Sequence, residues 1–257
     1  MRHAEREKYR LHGNLPVHRR RLESAKQRVA EAINAHAGLW AVCVSGGKDS
    51  VVLASIASLA GWVGPLFHFR HAETPPENTA LCHLLADRFG CDLHVTDVPG
   101  AFDVFAEAGF FVHAETDAQK SAARKMLSGY KSAAAESALE SGHVGQFWGL
   151  RAEESRERSI TLAKKGWLYR VQDRSTWTCC PIGNWSARDV WAHLINHDLP
   201  WLDRYDRLDD RERGRSEITW LAAEGIWRYG QGQALRRSDP ALWAEMIRRY
   251  PDLSRWG

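Results

Sequence analysis

The sequence predicts an α/β protein: a doubly wound, mostly parallel sheet with helices on both faces and a helical extension toward its C-terminal end. Three observations predict it. Residues 41–53 run from a short apolar strand through a Gly-Gly turn into an apolar helix. The strand-then-helix pattern repeats through residues 65–70, 79–89 and 91–98. A further strand at 144–150 leads into a charged helix from Arg151. Strands that alternate with amphipathic helices are joined by crossovers, and crossovers make parallel sheets.

Composition bounds the answer. The chain has 257 residues and is 44% hydrophobic, ample for a buried core. A net charge of +3 is too weak to indicate nucleic acid by itself. No apolar run approaches the roughly 20 residues that span a bilayer, so no membrane partner is expected. The first twenty-one residues are charged and lack the apolar core of a signal peptide, so the expected location is cytoplasmic. The cysteines Cys43, Cys82, Cys91, Cys179 and Cys180 form no C-x-x-C pattern, so neither a zinc site nor a disulfide frame is indicated. Twelve tryptophans are many for this length; most are expected in the core, and a base-stacking surface is the alternative.

Each element has its own reason. Leu22, Ala25, Val29, Ala32 and Ile33 recur at helical spacing, which predicts a helix over 17–37 closed by Gly38. Val42, Cys43 and Val44 are small and uncharged, as a central strand requires. Gly46 and Gly47 permit a tight turn, and Asp49 or Ser50 is expected to cap the helix carrying Val51, Val52, Leu53 and Ile56. Residues 65–70 read as the second strand. Leu81, Leu84, Leu85 and Phe89 form one helical stripe ended by Gly90, and 91–98 alternates as the third strand. A long polar helix is expected over 118–141, then the fourth strand and the helix 151–165. Residues 168–171 and 177–180 suggest a hairpin-like excursion. Ser186 is the expected N-cap of a helix over 187–196, with Asp189 completing a capping box. Residues 204–215 are densely charged, and two helices near 216–224 and 240–250 finish the chain. The expected division is an N-terminal helical segment, 1–38, a central domain, 39–200, and a helical extension, 201–257.

Two stretches carry chemistry. The turn Ser45-Gly46-Gly47-Lys48-Asp49-Ser50 aims several N–H groups and the positive end of a helix at one spot, which suits a phosphate. It fits neither G-x-x-x-x-G-K-[ST] nor G-x-G-x-x-G. The second stretch runs from Gly149 through Arg151, Glu154, Ser155 and Arg158, at the end of a strand, where open α/β sheets place ligands. Arg151 and Arg158 suit anion oxygens; read alone, the stretch is more simply a charged helix with a Glu154–Arg158 pair.

All six positions of the first turn match the S-G-G-x-D-S pyrophosphate loop, so the chain resembles the N-type ATP pyrophosphatases of the adenine nucleotide α-hydrolase-like fold. The second stretch resembles a motif of the phosphoadenosine phosphosulfate (PAPS) reductase family, G-x-R-x-x-E-S-x-x-R. Pro181 and Trp185, followed by Asp189, Val190 and Trp191, resemble that family's P-x-x-x-W…D-V-W segment, and Pro75-Pro76-Glu77 stands where it carries P-E-T. The resemblance covers about residues 40–200.

The resemblance implies that Ser45, Gly46, Gly47, Lys48, Asp49 and Ser50 hold the pyrophosphate end of ATP, or the phosphosulfate end of PAPS as the alternative ligand. It implies Asp49 as a ligand to Mg²⁺, adenine near Phe69 and Arg70, and Gly149, Arg151, Glu154, Ser155 and Arg158 at the phosphate or sulfate. Lys48, Asp49, Arg151 and Arg158 are the implied catalytic residues, for cleavage between the α and β phosphates. Reductases of the family carry a nucleophilic cysteine in a late E-C-G-x-H-type motif, and no cysteine follows Cys180 in these residues. No iron–sulfur cluster is expected, because Cys179-Cys180 lacks a partner C-x-x-C. The implied function is therefore an ATP pyrophosphatase that adenylylates an acceptor in sulfur metabolism or DNA phosphorothioation. A sulfonucleotide reductase and a non-catalytic nucleotide- or DNA-binding subunit are the alternatives. Implied partners are a sulfur-transfer or GTPase-type protein, DNA, or a second copy of the chain.

Overall fold

A computed structural model of the chain describes residues 1–70, 74–98, 116–118, 121, 140–170, 176–208, 231–251 and 254. Two helices come first, α1 (His3–Gly13) and α2 (Pro16–Ala35). Then β1 (Leu39–Cys43), α3 (Lys48–Leu59), β2 (Leu66–Arg70), α4 (Pro76–Phe89) and β3 (Leu93–Asp97) follow in strict alternation. After β4 (His143–Phe147) come a 3₁₀ turn (Ala152–Glu154), α5 (Arg156–Lys165), β5 (Leu168–Arg170) and β6 (Trp177–Cys179). The remaining described elements are α6 (Ala187–Asn196), a second 3₁₀ turn (Asp203–Arg207), α7 (Gln231–Ser238) and α8 (Pro240–Arg249).

The sheet has six strands in the order β3-β2-β1-β4-β6-β5. All neighbours are parallel except β5 and β6, which form the expected hairpin. The predicted fold class is therefore the observed one. β1 is central because both its faces are covered. Trp40, Val42 and Val44 belong to the main core, while Ala41 and Cys43 pack with Phe67 on the other side. Tyr9 of α1 and Ala25, Val29 and Ala32 of α2 enter that same main core, beside Val52, Ile56 and Trp191. β3 is the edge, and its side chains are mostly exposed.

Several expectations change in detail. The helix from the glycine turn is capped by neither Asp49 nor Ser50: its N-cap is the Gly47 backbone. Ser50 Oγ instead donates to Gly47 O at 2.9 Å and accepts the Ser45 N–H at 3.1 Å. The helix expected from Arg151 starts at Arg156, because Ser155 takes extended backbone and caps it through the Arg158 N–H. α1 and α7 are additional helices. Gly90 closes α4 with φ of 63°, and Ser186 and Asp189 form the expected capping box. The helix proposed for 118–141 and the one near 216–224 lie almost wholly outside the described residues, as does the end of the charged segment 204–215.

Candidate functional site

The chain leaves β1 for β2 on one side, while β4, on the other side of β1, continues the sheet away through β6. The carboxyl ends of β1 and β4 thus flank the point where strand order reverses, the crevice in which such sheets take ligands. Both sequence motifs begin there. Two glycines make the approach feasible. Gly46 has φ of +75°, and a Cβ there would lie 2.9 Å from Asn78 O. A Cβ on Gly149 would sit 3.0 Å from the Asp49 carbonyl. The turn after β1 and the loop after β4 are therefore in backbone contact.

That contact assembles a line of alternating charge. Lys48 Nζ donates to Asp49 Oδ2 at 2.8 Å, and Arg151 Nε donates to Asp49 Oδ1 at 2.6 Å. Arg151 Nη1 reaches Glu153 at 2.8 Å and the Trp185 carbonyl at 3.3 Å; Nη2 lies 3.8 Å from Glu154. Glu154 accepts from the Arg151 backbone N–H at 3.0 Å and from Arg158 Nη1 at 2.5 Å. Glu153 also accepts the Ala187 N–H at 2.5 Å, which fixes the loop to the start of α6.

Burial sets the electrostatics. Arg151 is 0% exposed and Lys48 2%. Burial alone would raise the Asp49 carboxyl, but Lys48 and Arg151 outweigh it and hold the carboxyl below its usual range. Burial alone would discharge Lys48 and Arg151, yet Asp49 holds both in the charged form, with Glu154 assisting on Arg151. The cluster is a set of fixed, mutually neutralising charges at the mouth of a helix N-terminus.

The sequence-derived residues divide accordingly. Ser45, Gly46, Gly47, Lys48, Asp49, Ser50, Gly149, Arg151, Glu154, Ser155 and Arg158 are brought together. Phe69 packs on Ala41, Cys43 and Phe67 under the other face of the sheet. Arg70 forks onto Asp97 of β3 at 2.6 and 2.8 Å, on the exposed edge. Cys179 and Cys180 are fully buried, and burial pushes the Cys180 thiol up to about 12.

Four participants were not singled out by the motifs. Asn78 donates Nδ2 to Ser45 O at 3.1 Å. Glu153 reaches Arg151, although residues two apart on a helix face different ways; Arg151 is the extended N-cap that precedes the 3₁₀ turn, so that restriction does not apply to it. The Tyr205 hydroxyl accepts the Lys48 N–H at 3.4 Å, and the Lys48 ammonium stands 5.8 Å from its ring centre. Arg204 lies beside it, 4% exposed. The clue for Asn78 is its place in the first turn of the helix after β2; Tyr205 and Arg204 carry no local signal.

The magnesium ion that the fold family implies is compatible with this donor set. Asp49 is ionised, its side chain is 15% exposed, and a carboxylate bound by two cations keeps lone pairs on each oxygen.

A family model for the phosphoadenosine phosphosulfate reductase domain matches residues 40–208. A phosphoadenosine 5'-phosphosulfate reductase of Xanthomonas euvesicatoria pv. vesicatoria (strain 85-10) is 36% identical over 80 residues, 28% of this chain and 30% of that protein. One of Xanthomonas axonopodis pv. citri (strain 306) is 32% identical over 90 residues, 33% of this chain and 34% of that protein. The chain thus spans about a third of the length of these curated relatives. Among solved structures, the PAPS reductase of Candida auris in a phosphate complex has a TM-score of 0.51 at 15% identity, covering 71% of this chain and 84% of that one. The U34-tRNA thiolase NcsA of Methanococcus maripaludis has a TM-score of 0.52 at 11% identity, covering 91% and 80%. At these identities the structural likeness establishes the fold alone. The family match extends over most of the chain and takes in the glycine turn, Gly149–Arg158 and Pro181–Trp191: the chain belongs to the phosphoadenosine phosphosulfate reductase domain family.

Proposed function

We propose that the protein is an ATP pyrophosphatase of this family, which cleaves ATP between the α and β phosphates and adenylylates an acceptor. The observation that carries this reading is the fixed Lys48–Asp49–Arg151 cluster at the start of α3, directly beneath the close approach of Gly149. The turn's N–H groups and the helix end receive the pyrophosphate portion. A nucleophilic oxygen of the acceptor attacks Pα, the Pα–O bond to the β phosphate breaks, and pyrophosphate leaves with the electron pair. The attacking oxygen of sulfate or of a phosphodiester is already an oxyanion, so no proton has to be removed from it. Lys48 and the turn amides neutralise charge that grows on the leaving oxygens, and they are oriented before the substrate arrives. Asp49 is the residue that would hold Mg²⁺, which supplies further neutralisation of the phosphates when bound. Arg151 and Arg158 align the site; Arg151 does so by keeping Asp49 ionised and fixed. Sulfate or a DNA phosphate oxygen is the acceptor class this reading favours.

The buried, proton-retaining thiols of Cys179 and Cys180 support this reading over thiol-based reduction, because the thiolate is the nucleophile. The Xanthomonas relatives favour PAPS as the second ligand reading. One assay separates the two: α-labelled ATP or PAPS is supplied with Mg²⁺ and candidate acceptors, or with a thiol reductant. Pyrophosphate release from ATP is expected, and D49N is expected to lower it by about a hundred-fold or more. Sulfite release from PAPS without ATP turnover would replace the first reading by the second. Undiminished turnover by D49N would refute the site.

A further inference from the structure

Arg204 is a buried guanidinium that the family motifs leave without a role. It sits in the 3₁₀ turn Asp203–Arg207 and is 4% exposed. Its Nη2 donates to Glu77 in the first turn of α4 and lies 3.7 Å from Asp239, the N-cap of α8. Its Nη1 is buried and has no hydrogen-bond partner among the described residues. Buried cationic N–H groups are almost always matched by an acceptor, so an orphan of this kind marks a place that an anionic oxygen would satisfy.

The location of Arg204 is defined from two sides. On its own segment, the next residue, Tyr205, takes the Lys48 N–H and underlies the Lys48 ammonium. Across the Glu77 bond, the next residue is Asn78, whose Nδ2 holds Ser45 O and whose backbone limits Gly46. The Arg204–Glu77 pair is therefore bracketed by two residues that touch the glycine turn. Arg151 cannot supply the missing charge, because Asp49, Glu153, Glu154 and the Trp185 carbonyl already take its guanidinium.

We propose that Arg204 is a phosphate-binding residue of the glycine-turn site, donating Nη1 to the anionic tail of the bound nucleotide. This rests on the nucleotide reading above and adds to it a residue outside its motifs. Nη1 and Lys48 are both closed to bulk solvent, so the phosphate is admitted when Asp203–Arg207 shifts from the turn. That segment is tethered by Arg204 to Asp239 and by Arg207 Nη1 to Ser238 O at 2.7 Å, both at the α7–α8 junction. Nucleotide entry and the seating of the last two helices are thereby coupled.

Calorimetric titration of the full chain with ATP, PAPS and inorganic pyrophosphate tests this. R204Q is expected to weaken ATP and pyrophosphate about ten-fold, and R204K, which keeps the charge but not the planar fork, about three-fold. Equal affinities for wild type and a folded R204Q would overturn the role of Arg204 and leave the nucleotide reading intact. Absence of binding by the wild type to all three ligands would remove both. If R204Q does not fold, R204K decides: weaker pyrophosphate binding at an unchanged melting temperature supports the proposal, and wild-type affinity refutes it.

Discussion

Asp49 is held by two cations through different oxygens, and the charged forms of Lys48 and Arg151 depend on that arrangement. Arg151 is its buried counterpart. Replacing it by methionine leaves Asp49 facing Lys48 alone and takes one cation from Glu153 and Glu154, which keep the Ala187 N–H and Arg158 respectively. R151M is expected to lose about 3–5 kcal/mol of stability, read from urea denaturation. An unchanged midpoint would mean that the guanidinium is not needed to balance those carboxylates. Gly46 provides a second test at this scale. Its φ is +75°, and a methyl group added there would stand 2.9 Å from Asn78 O, so G46A is strained in backbone and in space. It is expected to cost about 1–3 kcal/mol and to weaken ATP binding more than stability alone explains. Wild-type affinity in G46A would show that the turn does not approach the ligand.

Among elements, α6 is anchored to both N-terminal helices because Asp189 serves as more than its capping-box acid. Asp189 is fully buried; Oδ2 accepts from Ser186 N–H and Oγ at 2.9 and 2.6 Å and from Arg21. Oδ1 lies 2.9 Å from His12 Nε2 and 3.1 Å from His18 Nδ1. One carboxylate therefore joins α1, α2 and α6. Burial alone would raise its pKa, but the bonds from His18, Ser186 and His12 prevail and hold it far below the usual aspartate range. A group depressed in the folded state stabilises the fold above its unfolded value, about 4, and that contribution is lost as pH falls toward the folded value. The acid limb of the stability–pH curve is thus expected to flatten in D189N below about pH 4, with overall stability lower at neutral pH. Parallel acid limbs for D189N and wild type would contradict the assignment. Much of α6 was legible beforehand, since Ser186, Asp189 and the apolar stripe are local signals. Its three distant partners were not, because they lie about 170 residues away in sequence.

For the whole molecule, the order of the strands creates the crevice, and the N-terminal helices complete the core. α1 runs along α6, with Tyr9 6.2 Å from the Trp191 ring. Removal of residues 1–14 uncovers that tryptophan's surroundings and deletes His12 from Asp189. The melting temperature is expected to fall by about 6–10 °C, from about 2–3 kcal/mol of lost burial. ATP affinity is expected to change by no more than about three-fold: no described hydrogen bond joins α1 to the glycine turn, and the ion pair lost from the Asp203–Arg207 turn is the exposed one between the Met1 ammonium and Asp206. Equal melting temperatures would show that α1 is an ornament on the core; a collapse of ATP binding would show that it belongs to the site.

The strand–turn–helix at residues 41–53, the parallel class of the sheet and the charge pattern of Gly149–Arg158 were set by local means: side-chain size, periodicity and the backbone freedom of glycine act between near neighbours. Which charges meet is a different matter. Read along the chain, Arg151 is an anion contact and the segment around Arg204 is a balanced run of acids and bases. Folding brings Asp49 onto Arg151 across 102 residues and leaves Arg204, bound to Glu77, with an unmatched nitrogen. Coulomb and hydrogen-bond partners are chosen by distance in space and by shared burial, and only the assembled sheet, with α4 and the segment after α6 packed against the turn, supplies those.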